Sequence, residues 1–238
     1  MADYKDYKAP FDDKPDDYRK FIVDQERKRN ELLVHPDRFQ RISQRQDYSD
    51  WPARAQECIS KGKYVARYRD FYVCKTPEDY VLYQELFSLV KPATVIELGT
   101  LSGGNAIWIA DTLKLLNVQC QIYSHDLDLS NLSEKVKALK PDNVTFIQGD
   151  SFTLEKSLSS QFLSKLPHPW VIIEDAHANT RGVLEYFHDF TVEGDYIVVE
   201  DTNLDIPKKA GTGCTTDKFE VLGTLKLECL KSFLRDSE

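Results

Sequence analysis

The sequence predicts an α/β fold: a doubly wound, mostly parallel sheet of the Rossmann-like kind. Three observations predict it. An apolar strand over residues 95–98 breaks into a turn with three glycines, at residues 99–104. Short apolar runs then alternate with helical segments as far as residue 199. Polar and acidic residues follow the strands, at the edge where open parallel sheets bind their ligands.

Composition sets the class of protein. The chain has 238 residues, of which 41% are hydrophobic, which suits one α/β domain and an appendage. A net charge of −8 argues against nucleic acid as a partner. No apolar run is long enough to cross a membrane, and no secretion signal opens the chain, so we expect a cytoplasmic protein without membrane segments. The cysteines form no CxxC pair and fit reduced thiols: Cys58, Cys74, Cys120, Cys214 and Cys229.

The first third of the chain differs from the rest. Residues 1 to about 18 are polar and predict a mobile or partner-bound arm, and residues 18 to about 33 predict a solvated helix with one apolar side. That helix is either an inert surface helix or an oligomer or lid contact. Residues 36–75 are irregular and rich in aromatics. We therefore predict an N-terminal arm and lid or oligomerisation segment at 1–75, a ligand-binding domain at 76–238, and a homo-oligomer.

The second part predicts helices and strands in alternation. A helix capped by Thr76 runs to about residue 90. Right-handed crossovers then place helices on both faces of the sheet. The predicted strands are 95–98, 120–124, 144–148, 171–173 and 196–199; the predicted helices between them are about 103–115, 133–139, 154–165 and 180–190. A polar loop over 203–217 and a helix over about 219–234 follow.

The glycine turn at 99–104 and the next two strand ends predict a nucleotide or nucleoside site. The glycines let the backbone approach a ligand, and the following helix directs free N–H groups at the turn. Asp126, with Asp128 in reserve, is placed to accept hydrogen bonds from ribose hydroxyls. Asp150 and Ser151 would lie beside the base, although a helix cap is an equal alternative for Asp150.

Two acidic pairs follow the last two strands. Glu174-Asp175 and Glu200-Asp201 are expected to converge, because neighbouring strands lie about 4.8 Å apart. Carboxylates this close raise one another's pKa or recruit a cation, and hard oxygen ligands favour Mg²⁺, Ca²⁺ or Mn²⁺. His177 follows within the same turn, as a metal ligand, a general base or a structural histidine.

These residues resemble a known family. The patterns Val-Ile-Glu-Leu-Gly-x-x-x-Gly-Gly, His-Pro-x-x-x-x-Glu-Asp-Ala-His-Ala-Asn-Thr and Glu-Gly-Asp-Tyr-x-x-x-Glu-Asp are similar to the cephalosporin hydroxylase / rhamnosyl O-methyltransferase family, over about residues 65–204. The resemblance implies the fold of a class I methyltransferase and its donor, S-adenosylmethionine (SAM). It implies a SAM site formed by Glu97, Gly99, Thr100, Ser102, Gly103 and Gly104, with the ribose at Asp126. It further implies Mg²⁺ or another hard divalent cation held by Glu174, Glu200 and Asp201. The related macrolide sugar O-methyltransferases also look similar here, and this resemblance implies His177 as the base.

The chain departs from the family pattern at two places. The first metal position is usually Asp, whereas here Glu174 is followed by Asp175, so either side chain is a candidate ligand. A full methyltransferase sheet also adds an antiparallel hairpin as strands 6 and 7, and the sequence after strand 5 leaves no room for it. Either the chain is truncated or its sheet is reduced.

The function expected from these features is SAM- and Mg²⁺-dependent methyl transfer to a hydroxyl of a small metabolite, such as a sugar or a catechol. Three alternatives remain open. An NAD-dependent oxidoreductase would need a different glycine spacing, and a non-haem iron oxygenase would need a second histidine near Glu174. A non-catalytic SAM-binding scaffold would keep the fold alone.

Overall fold

The computed structural model describes residues 15–34, 41–44, 52–139, 141–202 and 223–237. The chain divides between Gln46 and Asp47 into two units. In the first unit, α1 (Pro15–Val34) carries Asp16 and Asp17 in its first turn, where acids interact favourably with the helix dipole. The helix thus begins three residues earlier than predicted.

The second unit contains the alternating helices and strands that the sequence predicts. Its helices are α2 (Ala53–Lys63), α3 (Pro77–Val90), α4 (Gly104–Leu115), α5 (Glu134–Leu139), α6 (Leu154–Ser157), α7 (Ser160–Leu163), α8 (Thr180–His188) and α9 (Thr224–Ser237). Its strands are β1 (Arg67–Tyr68), β2 (Phe71–Tyr72), β3 (Thr94–Leu98), β4 (Gln121–Asp126), β5 (Val144–Gln148), β6 (Trp170–Glu174) and β7 (Tyr196–Val199).

The main sheet has the order β5-β4-β3-β6-β7 in the described chain, and all its neighbouring strands are parallel. The doubly wound fold is therefore confirmed. The strand order reverses beside β3, which lies at the centre. Leu98 at the end of β3 is in register with Glu174 at the end of β6, so the two ends meet at the same edge of the sheet. This is the edge at which such sheets bind ligands.

The core lies on both faces of the sheet, because alternate residues of a strand point to opposite sides. Val95 packs with side chains of α3 and α4 on one face. Ile96 and Leu98 pack with α6, α7 and α8 on the other. α3 begins with a capping box in which Asp79 N–H donates to Thr76 and Thr76 N–H donates to the Asp79 carboxylate. This box fixes the chain just after Lys75.

Two predictions of local structure were wrong. The helix predicted over 154–165 is two short helices, because the Ser159 hydroxyl accepts a hydrogen bond from Phe162 N–H and begins a new helix there. The segment 36–75, expected to be irregular, contains α2 and the β1–β2 hairpin.

The predicted loop at 203–217 and the first residues of the predicted last helix lie outside the described residues. Within the described residues, no helix has both the length and the apolar character needed to span a membrane.

Candidate active site

The glycine turn lies against neighbouring backbone. Gly99 has φ +106°, and a β-carbon there would lie 2.5 Å from the carbonyl oxygen of Asp175. At Gly104 a β-carbon would collide with the carbonyl oxygen of Tyr72. The hydroxyl of Ser102 also donates to Tyr72 O, at 3.1 Å. None of the described side chains caps α4, so its first N–H groups face the turn, where they can bind a ligand.

Glu97 is a buried carboxylate beneath this turn. It accepts hydrogen bonds from Asn105 Nδ2, at 2.6 Å, and from the hydroxyl of Ser124, which also contacts Thr100 at 2.7 Å. Burial raises the pKa of Glu97 to about 7, against the opposing effect of these hydrogen bonds. The Asn105 Oδ1 atom is buried and finds no partner among the described residues. A buried acceptor without a donor fits a ligand that brings its own N–H groups.

The acids predicted to contact the nucleoside have different surroundings. Asp126 is half-buried, and its carboxylate accepts from Leu101 N–H at 2.9 Å, which ties the end of β4 to the glycine turn. Asp128 and Asp150 are exposed and cap short 3-10 turns. Hydrogen bonds from Ser130 lower the pKa of Asp128. Ser151 lies in the turn that Asp150 caps. Of the three aspartates predicted to contact the nucleoside, Asp126 is the one bonded to the glycine turn in the described structure.

Asp175, His177 and Asp201 form a compact group, here called the Asp–His cluster. Their ligand atoms all lie within 4.8 Å of one another. His177 Nε2 lies 3.5 Å from Asp175 Oδ1 and 3.4 Å from Asp201 Oδ2. His177 and Asp201 both adopt left-handed backbone conformations, with φ near +55° and +53°. Such strain persists where surrounding structure holds it, as is common at functional sites.

In each aspartate of the Asp–His cluster, one carboxylate oxygen accepts a hydrogen bond from a lysine. Lys75 Nζ donates to Asp175 Oδ2 at 2.7 Å, and Lys63 Nζ donates to Asp201 Oδ1 at 2.9 Å. Burial lowers the pKa of each lysine, but the neighbouring carboxylates outweigh it and raise both above the usual value. The remaining oxygens, Asp175 Oδ1 and Asp201 Oδ2, face His177. The lysines thus orient the two carboxylates toward one point.

Glu200 lies behind this cluster. Its carboxylate accepts hydrogen bonds from Lys75, at 2.5 Å, and from the hydroxyl of Tyr83. Burial, together with repulsion from Asp175, raises the pKa of Glu200 to about 7. The carboxylate of Glu200 is therefore largely occupied by protein partners.

Glu174 and Lys226 form a fully buried ion pair. Their side chains have 0% exposure, and Lys226 Nζ lies 2.8 Å from Glu174 Oε2. Lys226 Nζ also donates to the carbonyl oxygen of Glu174 at 3.2 Å and lies 3.5 Å from His177 Nδ1. Burial lowers the pKa of His177, and the positive charge of Lys226 lowers it further, so the imidazole is neutral near pH 7.

The structure thus places the predicted residues in two adjoining groups. The first group is the glycine turn, with Gly99, Thr100, Ser102, Gly103 and Gly104, and Glu97 beneath it. The second group is the acidic edge beside the turn, with Glu174, Asp175, His177, Glu200 and Asp201. Sequence reasoning missed the roles of Lys63, Lys75 and Lys226. Two signals were available: Lys75 stands in a Lys-x-Pro pattern that is similar to the family, and Lys226 stands in the apolar stripe of α9 beside the buried Leu227.

The donor set of the Asp–His cluster fits a hard divalent cation. Two carboxylate oxygens and one imidazole nitrogen converge, and each carboxylate keeps one oxygen outside its lysine pair. Carboxylate oxygens are the ligands of Mg²⁺ and Mn²⁺, and imidazole is accepted by Mn²⁺. The glycine turn with its uncapped helix end and the acid at the end of β4 fit a nucleoside ligand.

Comparison with known proteins shows a similarity to methyltransferases. A family model described as rhamnosyl O-methyltransferase/CmcI matches residues 61–219. The rhamnosyl O-methyltransferase of Mycobacterium tuberculosis is 25% identical over 138 residues, which are 55% of this chain and 54% of that protein. The chain therefore spans about half the length of the curated relatives it matches.

Solved structures of CmcI are also similar to this chain. An apo structure of CmcI is 27% identical, with a TM-score of 0.57, over 79% of this chain and 77% of that one. A structure of CmcI with Mg-SAM is also 27% identical, with a TM-score of 0.52, over 72% of this chain and 64% of that one. The resemblance predicted from the motifs is confirmed. The matched residues include both the glycine turn and the acidic edge, and the chain belongs to the rhamnosyl O-methyltransferase/CmcI family.

Proposed function

We propose that this protein transfers the methyl group of SAM to a hydroxyl oxygen of a small hydroxylated molecule, with Mg²⁺ or another hard divalent cation as cofactor. One observation carries the proposal. Asp175 N–H donates to the carbonyl oxygen of Leu98 at 2.9 Å, and Gly99 follows Leu98 directly. The turn that suits the donor and the cluster that suits the cation are therefore contiguous, and a hydroxyl at the cluster lies beside the donor.

The donor is held by the glycine turn. The backbone of Gly99 to Gly104, with Thr100 and Ser102, forms the wall of this site, and SAM supplies an electrophilic methyl group there. Asp126 accepts hydrogen bonds from the ribose, because its carboxylate retains lone pairs beyond those used by Leu101. Asp128 and Asp150 cap exposed turns, so we assign them, with Ser151, to the rim of the nucleoside site.

The Asp–His cluster orients and activates the acceptor. Asp175 and Asp201 direct one oxygen each at the same point, and a divalent cation bound there would lower the pKa of a coordinated hydroxyl. Glu200 fixes the orientation of Lys75, and hence of Asp175, from behind.

His177 takes the proton. Burial lowers the pKa of the ring, which is therefore neutral near pH 7 and has one free lone pair. In the tautomer that carries its hydrogen on Nδ1, and with the cation held by the two aspartates, that lone pair is on Nε2, which faces both aspartates and can take the proton. The hydroxyl loses its proton to Nε2 while its oxygen forms a bond to the methyl carbon. The carbon–sulfur bond breaks in the same step, so S-adenosylhomocysteine (SAH) leaves as a neutral thioether.

Calorimetry and a transfer assay test the proposal on the full chain. We expect SAH to bind and NAD not to bind. With methyl-labelled SAM, Mg²⁺ and a panel of sugars and catechols, we expect labelled product that EDTA abolishes. Asp201→Asn should lose the transfer, whereas Asp189→Asn, the same change at the exposed end of α8, should keep it. Binding of NAD in place of SAH, or transfer that EDTA leaves unchanged, would contradict the proposal.

Residues 1–75 as an arm and lid or oligomerisation segment, the homo-oligomer and the cytoplasmic location stay predictions from the sequence. Sedimentation velocity on the full chain and on a chain lacking residues 1–46, the first of the two units, tests the oligomer. Loss of self-association on removal of that unit is the expected result.

A further inference from the structure

Lys226 occupies a position where a lysine is costly. Its ammonium group is completely buried, and burying a charge is unfavourable unless a partner of opposite sign compensates it. Here the partner is Glu174, whose carboxylate is just as buried. Thr180 also donates to this carboxylate, at 3.2 Å. The pair is therefore a built element of the acidic edge and not a surface contact.

The lysine reaches this edge from outside the matched region. The family model ends at residue 219, whereas α9 begins at Thr224. α9 is fastened to α8 by Arg181, which donates to Ser232 and to Asp236, each at 2.6 Å. A helix that the family model does not cover thus carries a cation into the site.

The charged groups of the acidic edge indicate the role of the Lys226 ammonium group. The acidic edge has four carboxylates, Glu174, Asp175, Glu200 and Asp201, and three buried or half-buried ammonium groups, Lys63, Lys75 and Lys226. Lys226 lies closest to Glu174, which stands at the first metal position of the family pattern. The Oε2 atom of Glu174 is bonded to this ammonium group at 2.8 Å. Asp175 and Asp201 are also paired with lysines, but each contributes an oxygen to the group of ligand atoms that lie within 4.8 Å of one another, and Glu174 is not a member of that group.

We propose that Lys226 is a tethered cation of the active site, which removes Glu174 from the metal-ligand set and leaves the divalent cation to Asp175 and Asp201. The inference rests on the proposed function, because it concerns the cation that this function employs. Glu174 occupies the first metal position of the family pattern, and the inference explains why its carboxylate is nevertheless buried against the Lys226 ammonium group. It also gives Asp175, the residue next to Glu174, the role of first ligand.

Removal of the lysine tests the inference through Mn²⁺ binding, followed by the electron paramagnetic resonance signal of free Mn²⁺ without SAM or acceptor. In Lys226→Met, Glu174 Oε2 loses its ammonium partner and keeps the hydrogen bond from Thr180, so the carboxylate is free to turn toward the cation. Oε1 has no partner among the described residues even in the native chain. We expect Mn²⁺ to bind about tenfold more tightly, because one carboxylate joins the ligands. Lys231→Met removes the same charge from the same helix at a lysine paired with Glu228, and should leave the affinity unchanged.

A double variant keeps the test decisive even if Lys226→Met does not fold. Glu174→Gln with Lys226→Met removes both charges, so the net charge of the edge equals that of the native chain. We expect its Mn²⁺ affinity to match the native value. A loss of about tenfold or more would show that Glu174 binds the metal in the native chain, and would overturn the inference. A folded Lys226→Met protein with native affinity, or absence of Mn²⁺ binding in every variant, would overturn it too.

Binding of SAH to the native chain separates this inference from the proposed function. A chain that binds SAH and shows no gain of Mn²⁺ affinity in Lys226→Met refutes the tethered cation alone. A chain that does not bind SAH refutes the proposed function, whatever the Mn²⁺ result.

Discussion

The carbonyl oxygen of Asp175 lies 2.5 Å from the place where Gly99 would carry a β-carbon. This relationship joins the two halves of the site. The turn that follows β3 and the loop that follows β6 touch through backbone, without a side chain between them. Any group added at Gly99 must therefore push the glycine turn away from the Asp–His cluster.

We expect Gly99→Ala to lower the free energy of unfolding by about 3 kcal/mol, because it combines a left-handed φ with a backbone collision. It should also abolish SAH binding. Gly194→Ala is the matched control, since Gly194 has φ +99° and a β-carbon placed there would meet no atom of the described residues within 4 Å. That variant should cost about 1 kcal/mol and bind SAH normally. Urea unfolding and calorimetry measure both quantities, and equal losses in the two variants would contradict the close approach.

The stability of the fold should fall between pH 4.5 and pH 7 through Glu97. Burial raises its pKa from 4.5 to about 7, so in this range the folded protein holds a proton that the unfolded chain has lost. The contribution is complete below pH 4.5 and lost as the pH rises through 7, and it amounts to roughly 3 kcal/mol. The free energy of unfolding of the native chain minus that of Glu97→Gln should fall by this amount. Glu155→Gln, the same substitution at an exposed residue of α6, is the matched control.

Lys75→Met should destabilise the protein by about 3–5 kcal/mol, because it leaves Asp175 and Glu200 buried together without a cation. Lys61→Met is a useful comparison. Lys61 pairs with Glu57 at 2.6 Å, close to the 2.5 Å of Lys75 and Glu200, but its side chain is 74% exposed. We expect no measurable change there. Chemical denaturation checks both, and adding Glu200→Gln to Lys75→Met should recover part of the loss.

His177→Ala should lower kcat for methyl transfer by about 10²–10⁴ and leave the Kd of SAH unchanged. The reason is that His177 faces the aspartates and not the glycine turn. Mn²⁺ should still bind if the aspartates are the ligands. His188→Ala, at a histidine whose ring lies 5.6 Å from that of Phe233, should keep full turnover. Full turnover in His177→Ala would show that His177 is not the base.

The strands and the edge where they end could be predicted because both follow from local pattern. Short apolar runs predicted β3 to β7 to within a residue or two, since the strands of a parallel sheet covered by helices are rich in apolar residues. The positions of the acids at the ends of β6 and β7 could be predicted as well, because they depend only on where each strand ends. The break at Ser159 was missed, because a serine is compatible with a helix until its hydroxyl finds a nearby N–H.

The lysines of the site could not be predicted in the same way. Lys63 and Asp201 are 138 residues apart, and Lys75 and Glu200 are 125 apart. A lysine that pairs in the interior and one that lies on the surface look alike in a sequence. Only tertiary structure shows which oxygen of each carboxylate is taken and which is left for a ligand.

The late position of Lys226 has a consequence during synthesis. Every other charged member of the acidic edge leaves the ribosome before α9, so a nascent chain that has already folded β3 to β7 holds Glu174 without its counter-ion. We expect the acidic edge to be completed last, when α9 docks and brings Lys226 to Glu174.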